Sequence, residues 1–150
     1  MIISRISLGG AMVAAAVAFA GCSGMNMPMM SKTVSATNPM SGAQEVPPKP
    51  GAGSGTVKTT LDKDTRKLTW VVTYSGLSGP VTAGHFHGPA GPGQNAGVVV
   101  PFTGSMASPI EGSATLTEAQ MADLLAGKWY ANLHTAANPP GEIRGQVAGL

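Results

Sequence analysis

The sequence predicts an all-β fold: an antiparallel, Greek-key-like β-sandwich or barrel with one short α-helix. Three observations carry this. Turn formers are abundant, with 21 Gly and 12 Pro, while charged residues are only 11%, well below the usual quarter. Runs rich in Val and Thr alternate apolar with polar residues, the period of a strand with one buried face. Only one segment carries helix signals, and no strand–helix–strand alternation exists to build a parallel sheet.

The domain is expected to span 40–150. "SGAQEVPPKP" holds Pro47, Pro48 and Pro50, which fits an edge strand or one that ends early. "GTVKTTL" sets Val57, Thr59 and Leu61 on one side. "LTWVVTY" does the same with Leu68, Trp70, Val72 and Tyr74, and the polar "DKDTRK" between them completes a β-hairpin. "SGLSGP" breaks the chain. "VTAGHFHG" then puts Val81, Ala83, His85 and His87 on one face, followed by the loop "PAGPGQNAG". "VVVPF" and "IEGSATL" are short strands. In "TEAQMADLLAG", Thr117 and Gln120 form a capping-box pair, Met121, Leu124 and Leu125 make an apolar stripe, and Gly127 closes the helix. "KWYANLHT", the turn "AANPPG" and "EIRGQVAG" end the chain as two more strands.

The first 21 residues read as a lipoprotein signal peptide. Arg5 is the lone charge before an apolar run ending in "FAGC", too short and too poor in anchoring flanks for a membrane span. Small residues before Cys22, the single cysteine, resemble a bacterial lipobox, with Phe19 in place of the usual Leu. The competing reading is a plain secretory signal cut near Ala18 or Ala20. An unpaired Cys is unusual in an exported protein, which favours lipidation. The expected location is the bacterial cell envelope, and Ser23 after the Cys points to the outer membrane, facing the periplasm, in a Gram-negative host. Residues 22–39 read as a flexible tether. Its Met25, Met27, Met29 and Met30 are soft thioethers that suit weak Cu(I) capture, against the alternative of accidental composition in a linker. Without Arg5 the chain carries eight basic and seven acidic residues. No basic patch exists for nucleic acid, and a lipid anchor, not charge, would hold the protein at the membrane.

Nucleophile elbows, phosphate loops ending in Lys-Ser/Thr and free catalytic cysteines are absent from the sequence, and the expectation is a protein that is not an enzyme. The histidines remain. Residues i and i+2 of a strand point the same way about 6.6–7 Å apart, so His85 and His87 can converge on one ion with bonds of about 2.0–2.1 Å. His134 lies near the end of another strand before a Pro/Gly loop. If the strand ends meet, three imidazoles form a site at one pole of the sandwich, suited to copper or zinc. The alternative is that these histidines only anchor loop backbone. Glu142 and Arg144 share a face of the last strand, and a structural ion pair at the rim, with Glu45 as a partner for Arg144, is expected. Trp70, Tyr74, Trp129 and Leu133 are expected to cover the core.

"SGAQEVPP", "LTWVVTYSGLSGPVTAGHFHGPAGPGQNAGVVVPF" and "GSATLTEAQMADLLAGKWYANLHTAANPPGEIRGQV" closely resemble the CHRD domain, named after the animal protein chordin and widespread in bacterial exported proteins. The family's usual "HIHGPA" stands here with Phe86 in the middle, and its "GGEIRGQ" as "PPGEIRGQ"; every histidine is kept. The resemblance implies an all-β sandwich and no assigned activity. An H-x-H on a strand of such a sandwich is also similar to the copper site of Cu/Zn superoxide dismutases. Those need more histidines and an aspartate, so three histidines leave at most a single copper or zinc site. The functional expectation is a membrane-tethered extracytoplasmic domain binding copper, or zinc, through His85, His87 and His134. The other expectation is a structural or protein-interaction module of the envelope, with no partner identifiable.

Overall fold

The structure, a computed structural model, describes residues 32–150. The signal peptide, Cys22, Met25, Met27, Met29 and Met30 lie outside the described residues. Eight strands are β1 (Thr33–Ser41), β2 (Ser54–Asp62), β3 (Lys67–Ser75), β4 (Val81–His87), β5 (Val98–Pro101), β6 (Ile110–Thr115), β7 (Trp129–Thr135) and β8 (Asn138–Val147). They form one antiparallel sheet in the order β5-β4-β7-β8-β1-β2-β3-β6, curled into a nearly closed barrel. Meanders and hairpins give β1-β2-β3, β4-β5 and β7-β8. The contacts β3-β6, β4-β7 and β8-β1 join strands that are not neighbours in sequence, which gives the Greek-key character.

Alternation in β2 and β3 follows the sequence pattern: Val57, Thr59, Leu61, Leu68, Trp70 and Val72 are buried. The turn between them is held by the Asp62 carboxylate, which accepts from the backbone N–H groups of Asp64 and Thr65, both at 2.9 Å. The core is a single cluster drawing on all eight strands. At its centre Trp70 packs against Phe86 and Phe102, each 5.3 Å away between ring centres. Gly112 makes room for it, since a Cβ there would lie 2.3 Å from Trp70 Cζ2.

The helix α1 (Glu118–Leu125) starts at a capping box formed by Thr117 and Gln120, a device that stabilises by about 1 kcal/mol. It ends at Gly127, φ 69°. Leu124 is buried, but Leu125 is exposed, so the apolar stripe is narrower than the sequence suggested.

Four boundaries differ from the sequence pattern. Residues 33–39, assigned above to the tether, are part of β1, which pairs with β2 along its whole length, from Thr33 opposite Asp62 to Ser41 opposite Ser54. Only Met40 of this strand is buried, so hydrophobic alternation could not reveal it. "SGAQEVPPKP" is not a strand beyond Ser41. It makes a 3-10 turn at Gly42–Gln44 and doubles back, with the Lys49 N–H donating to the Gly42 carbonyl at 2.8 Å. Its prolines have no N–H to give a ladder. The last hairpin is tighter than "AANPPG" implied: Thr135 pairs with Asn138, so Pro139 and Pro140 lie within β8. Finally, β4 changes phase through an irregularity between Val81 and Ala83. Val81 joins the core with Gly84 and Phe86, whereas His85 and His87 face outward.

Candidate metal centre

β4 and β7 are adjacent and antiparallel. Ala83 stands opposite His134, His85 opposite Asn132, and His87 opposite Tyr130. On the next strand, Arg144 stands opposite Asn132 and Gln146 opposite Tyr130. Period-2 alternation sends Phe86, Ala131, Leu133 and Ile143 into the barrel and sends these polar residues to its outer side. That outer side is covered. His87, Asn132 and Arg144 are buried, while His85 and His134 are half-buried. The three histidines therefore gather on the face of neighbouring strands, not at a pole of the sandwich.

The cover is the loop 88–97, and the outer face holds it. Arg144 donates to the Gln94 carbonyl at 2.7 Å, to Asn95 Oδ1 at 3.1 Å and to the Gly91 carbonyl at 3.4 Å. Gln146 Nε2 donates to the Ala90 carbonyl at 2.9 Å. The Tyr130 hydroxyl meets both the N–H and the carbonyl of Ala96. Tyr130 is itself sandwiched. The His87 ring lies parallel to it at 4.8 Å, and the guanidinium sits 3.4 Å from its ring centre, a cation–π arrangement.

His85, His87 and His134 each offer a ring nitrogen, and these nitrogens lie within 4.8 Å of one another. His85 Nδ1 is 3.1 Å from His134 Nε2. The other nitrogens are tied down. His87 Nδ1 lies 3.0 Å from the Ala96 carbonyl and His134 Nδ1 lies 2.8 Å from the Pro139 carbonyl. A carbonyl only accepts, so each Nδ1 must be the protonated nitrogen, and in the neutral rings both Nε2 atoms carry bare lone pairs. Both Nε2 atoms face Asn132 Oδ1 at 3.0 Å. Sequence reasoning missed Asn132, although "NLH" has the same i, i+2 spacing as "HFH" and signals a shared face.

The electrostatics favour the neutral forms of His85 and His87. Burial pushes the His85 pKa below its ordinary 6.5, helped by His134 and His87. His87 is lowered mainly by burial too, with His134 and Arg144 adding repulsion, against the Ala96 and Asn132 oxygens, which would accept from the ring when it is protonated.

The expected Arg144–Glu45 rim pair is corrected by this geometry. Arg144 is 1% exposed and spends its hydrogen bonds on the loop; Glu45 contributes a charge interaction, not a direct bridge. Charges reach this position because the loop supplies carbonyls in place of water. Glu142 is likewise buried, and it accepts from the Ser78 N–H and hydroxyl at 2.6 Å each and from Thr135 at 2.5 Å. Burial raises its pKa, but these donors outweigh that and hold the carboxyl below its usual range. The Glu45 carboxyl is pushed up by burial, against the opposing pull of Arg144 and of the Val46 N–H.

Fold and site together define an antiparallel barrel domain with a loop-covered cluster of three histidines on its outer face. The chain belongs to the CHRD domain family, whose profile matches residues 36–147. Comparisons with curated proteins and with solved structures give no match.

Proposed function

We propose that this CHRD domain binds one transition-metal ion, copper first and zinc second, through His85, His87 and His134, and acts as a non-enzymatic, lipid-tethered domain of the bacterial cell envelope. One observation carries the reading. Two backbone carbonyls fix the Nδ1–H tautomer of His87 and His134, leaving two bare Nε2 atoms aimed at a common centre beside His85. Metal-ligating histidines are oriented in this way by an acceptor on the far nitrogen. Bonds of ~2.0–2.1 Å put adjacent ligand atoms roughly 2.8–3.4 Å apart, from square-planar to tetrahedral geometry; the His85–His134 separation of 3.1 Å suits this.

The same carbonyl bonds favour the second reading, in which the histidines only anchor loops of a structural or protein-interaction module. Calorimetric titration of the full chain with Cu(II) and with Zn(II) separates the two. The metal reading expects one ion per chain with submicromolar affinity; no saturable binding supports the module. Protons compete for the same lone pairs. Because burial lowers the His85 and His87 pKa values from 6.5, affinity should hold at neutral pH and fall as pH drops through those lowered values. The metal-free fold should respond in the same direction. The unfolded chain takes up protons from about 6.5 downward before the folded one does, so stability is full above that pH and is lost below it.

The tether is part of the proposal. Cys22→Ser should release the protein from the membrane fraction, and retention would count against lipidation. Deleting residues 23–30 should lower Cu(I) uptake if Met25, Met27, Met29 and Met30 capture it.

A further inference from the structure

Asn132 is buried at the centre of the cluster, 3% exposed, and its Oδ1 lies 3.0 Å from His87 Nε2 and 3.0 Å from His134 Nε2. With both imidazoles holding their protons on Nδ1, three lone pairs meet there with no hydrogen between them. Such a meeting is unfavourable when empty and favourable around a cation. The amide could relieve it by turning its NH2 group toward the imidazoles, so its orientation is what has to be explained.

Glu45 supplies the explanation. The Asn132 Nδ2 is on the side of the Glu45 carboxyl, whose charged form it helps to stabilise. Glu45 Oε1 is buried and has no hydrogen-bond partner, so it stands as an open acceptor on the amide's NH2 side. Gly141 permits the approach: its φ is +136°, and a Cβ there would sit 2.5 Å from Glu45 Oε1 and 2.9 Å from Asn132 Nδ2. Turning the amide would set its oxygen against the carboxylate. The acid therefore favours the NH2 group on its own side and leaves Oδ1 facing the histidines.

We propose that Asn132 Oδ1 is a fourth ligand of the ion, and that Glu45 is the positioning residue that keeps this oxygen turned inward. The proposal rests on the three-histidine reading. Three nitrogens and one hard oxygen suit divalent Cu(II) and Zn(II) better than Cu(I). The oxygen thus favours the oxidised ion, and its removal should cost Cu(II) more than Cu(I).

The test uses the full chain with Cu(II) and Cu(I) as probes. In Asn132→Ala, the Cu(II) dissociation constant should rise by at least ~10-fold, the Cu(I) constant should rise less, and the Cu(II) electron paramagnetic resonance spectrum should change. Asn132→Asp keeps an oxygen and should keep a spectrum close to that of the unaltered protein. Glu45→Leu should shift the spectrum as Asn132→Ala does, and Glu45→Gln, which can still accept from Nδ2, should restore it. A merely structural role would weaken both oxidation states alike and leave the spectrum of the bound ion unchanged, which would overturn the proposal. Should the alanine variant not fold, the unaltered protein gives the answer: on Zn(II) addition the Asn132 side-chain carbonyl carbon resonance should move downfield, and an unmoved resonance would overturn it. If the unaltered protein binds no ion, the three-histidine reading falls and takes this one with it. If it binds an ion that His85→Ala/His87→Ala loses but Asn132→Ala holds unchanged, only the role of Asn132 falls.

Discussion

The His85→Ala/His87→Ala variant should lose its ion: Cu(II) affinity should fall by more than ~100-fold, leaving no saturable heat in a titration that is saturable for the unaltered protein. The two side chains supply two of the three nitrogens that lie within 4.8 Å of one another, and a single remaining imidazole cannot hold a divalent ion tightly. The fold should survive. His85 makes its one side-chain bond to His134 Nε2, and His87 donates to the Ala96 carbonyl. Removing them leaves two acceptors short of a donor, a loss of about 1–3 kcal/mol against a typical total of about 5–15. A cooperative melt alongside lost binding separates ligation from folding. Binding of undiminished affinity would contradict the site.

Arg144→Ala should be the most destabilising of the polar substitutions. The side chain is 1% exposed. It joins three loop acceptors to the face of Tyr130 and lies near the buried Glu45. Its loss strands the Gln94 and Gly91 carbonyls, Asn95 and a carboxyl at once. Removing one member of a buried, charge-bearing network costs about 3–5 kcal/mol, or a fall in Tm on the order of 10 °C for a domain of this size. Arg144→Lys should not restore it, because an ammonium cannot stack on the ring and present a planar fork to the loop. Metal affinity should fall with stability, since the loop carries the Ala96 carbonyl that fixes the His87 tautomer. A thermal shift of only a degree or two in Arg144→Ala would contradict this account of the loop.

Much of the barrel is legible in the sequence because its signals are local. The hairpin from Val57 to Tyr74 shows its alternation directly, and the helix shows its capping box in Thr117 and Gln120. What escapes is set by neighbours distant in sequence. β1 has one buried residue, Met40, and owes its place to a ladder with β2. The phase change in β4 sends Val81 inward and the histidines outward, and no residue between them announces it. Arg144 and Glu142 resemble rim charges until the loop 88–97 and Ser78 are brought over them.

The site divides in the same way. Spacing alone puts His85 and His87 on one face. The reach of His134 to that face depends on β7 lying beside β4, with Ala83 opposite His134, and the 41 residues of chain between the two strands cannot be read for it. Asn132 was within reach of the same period-2 argument as His134. It stayed unnoticed because a neutral amide carries no metal signature until its oxygen is found between two bare nitrogens.

X-ray absorption at the copper K-edge of the Cu(II)-loaded full chain tests the central claim most directly, because the multiple scattering of imidazole rings counts the histidine ligands. The account predicts one copper per chain with three imidazoles in its shell. A shell with one imidazole or none would contradict it.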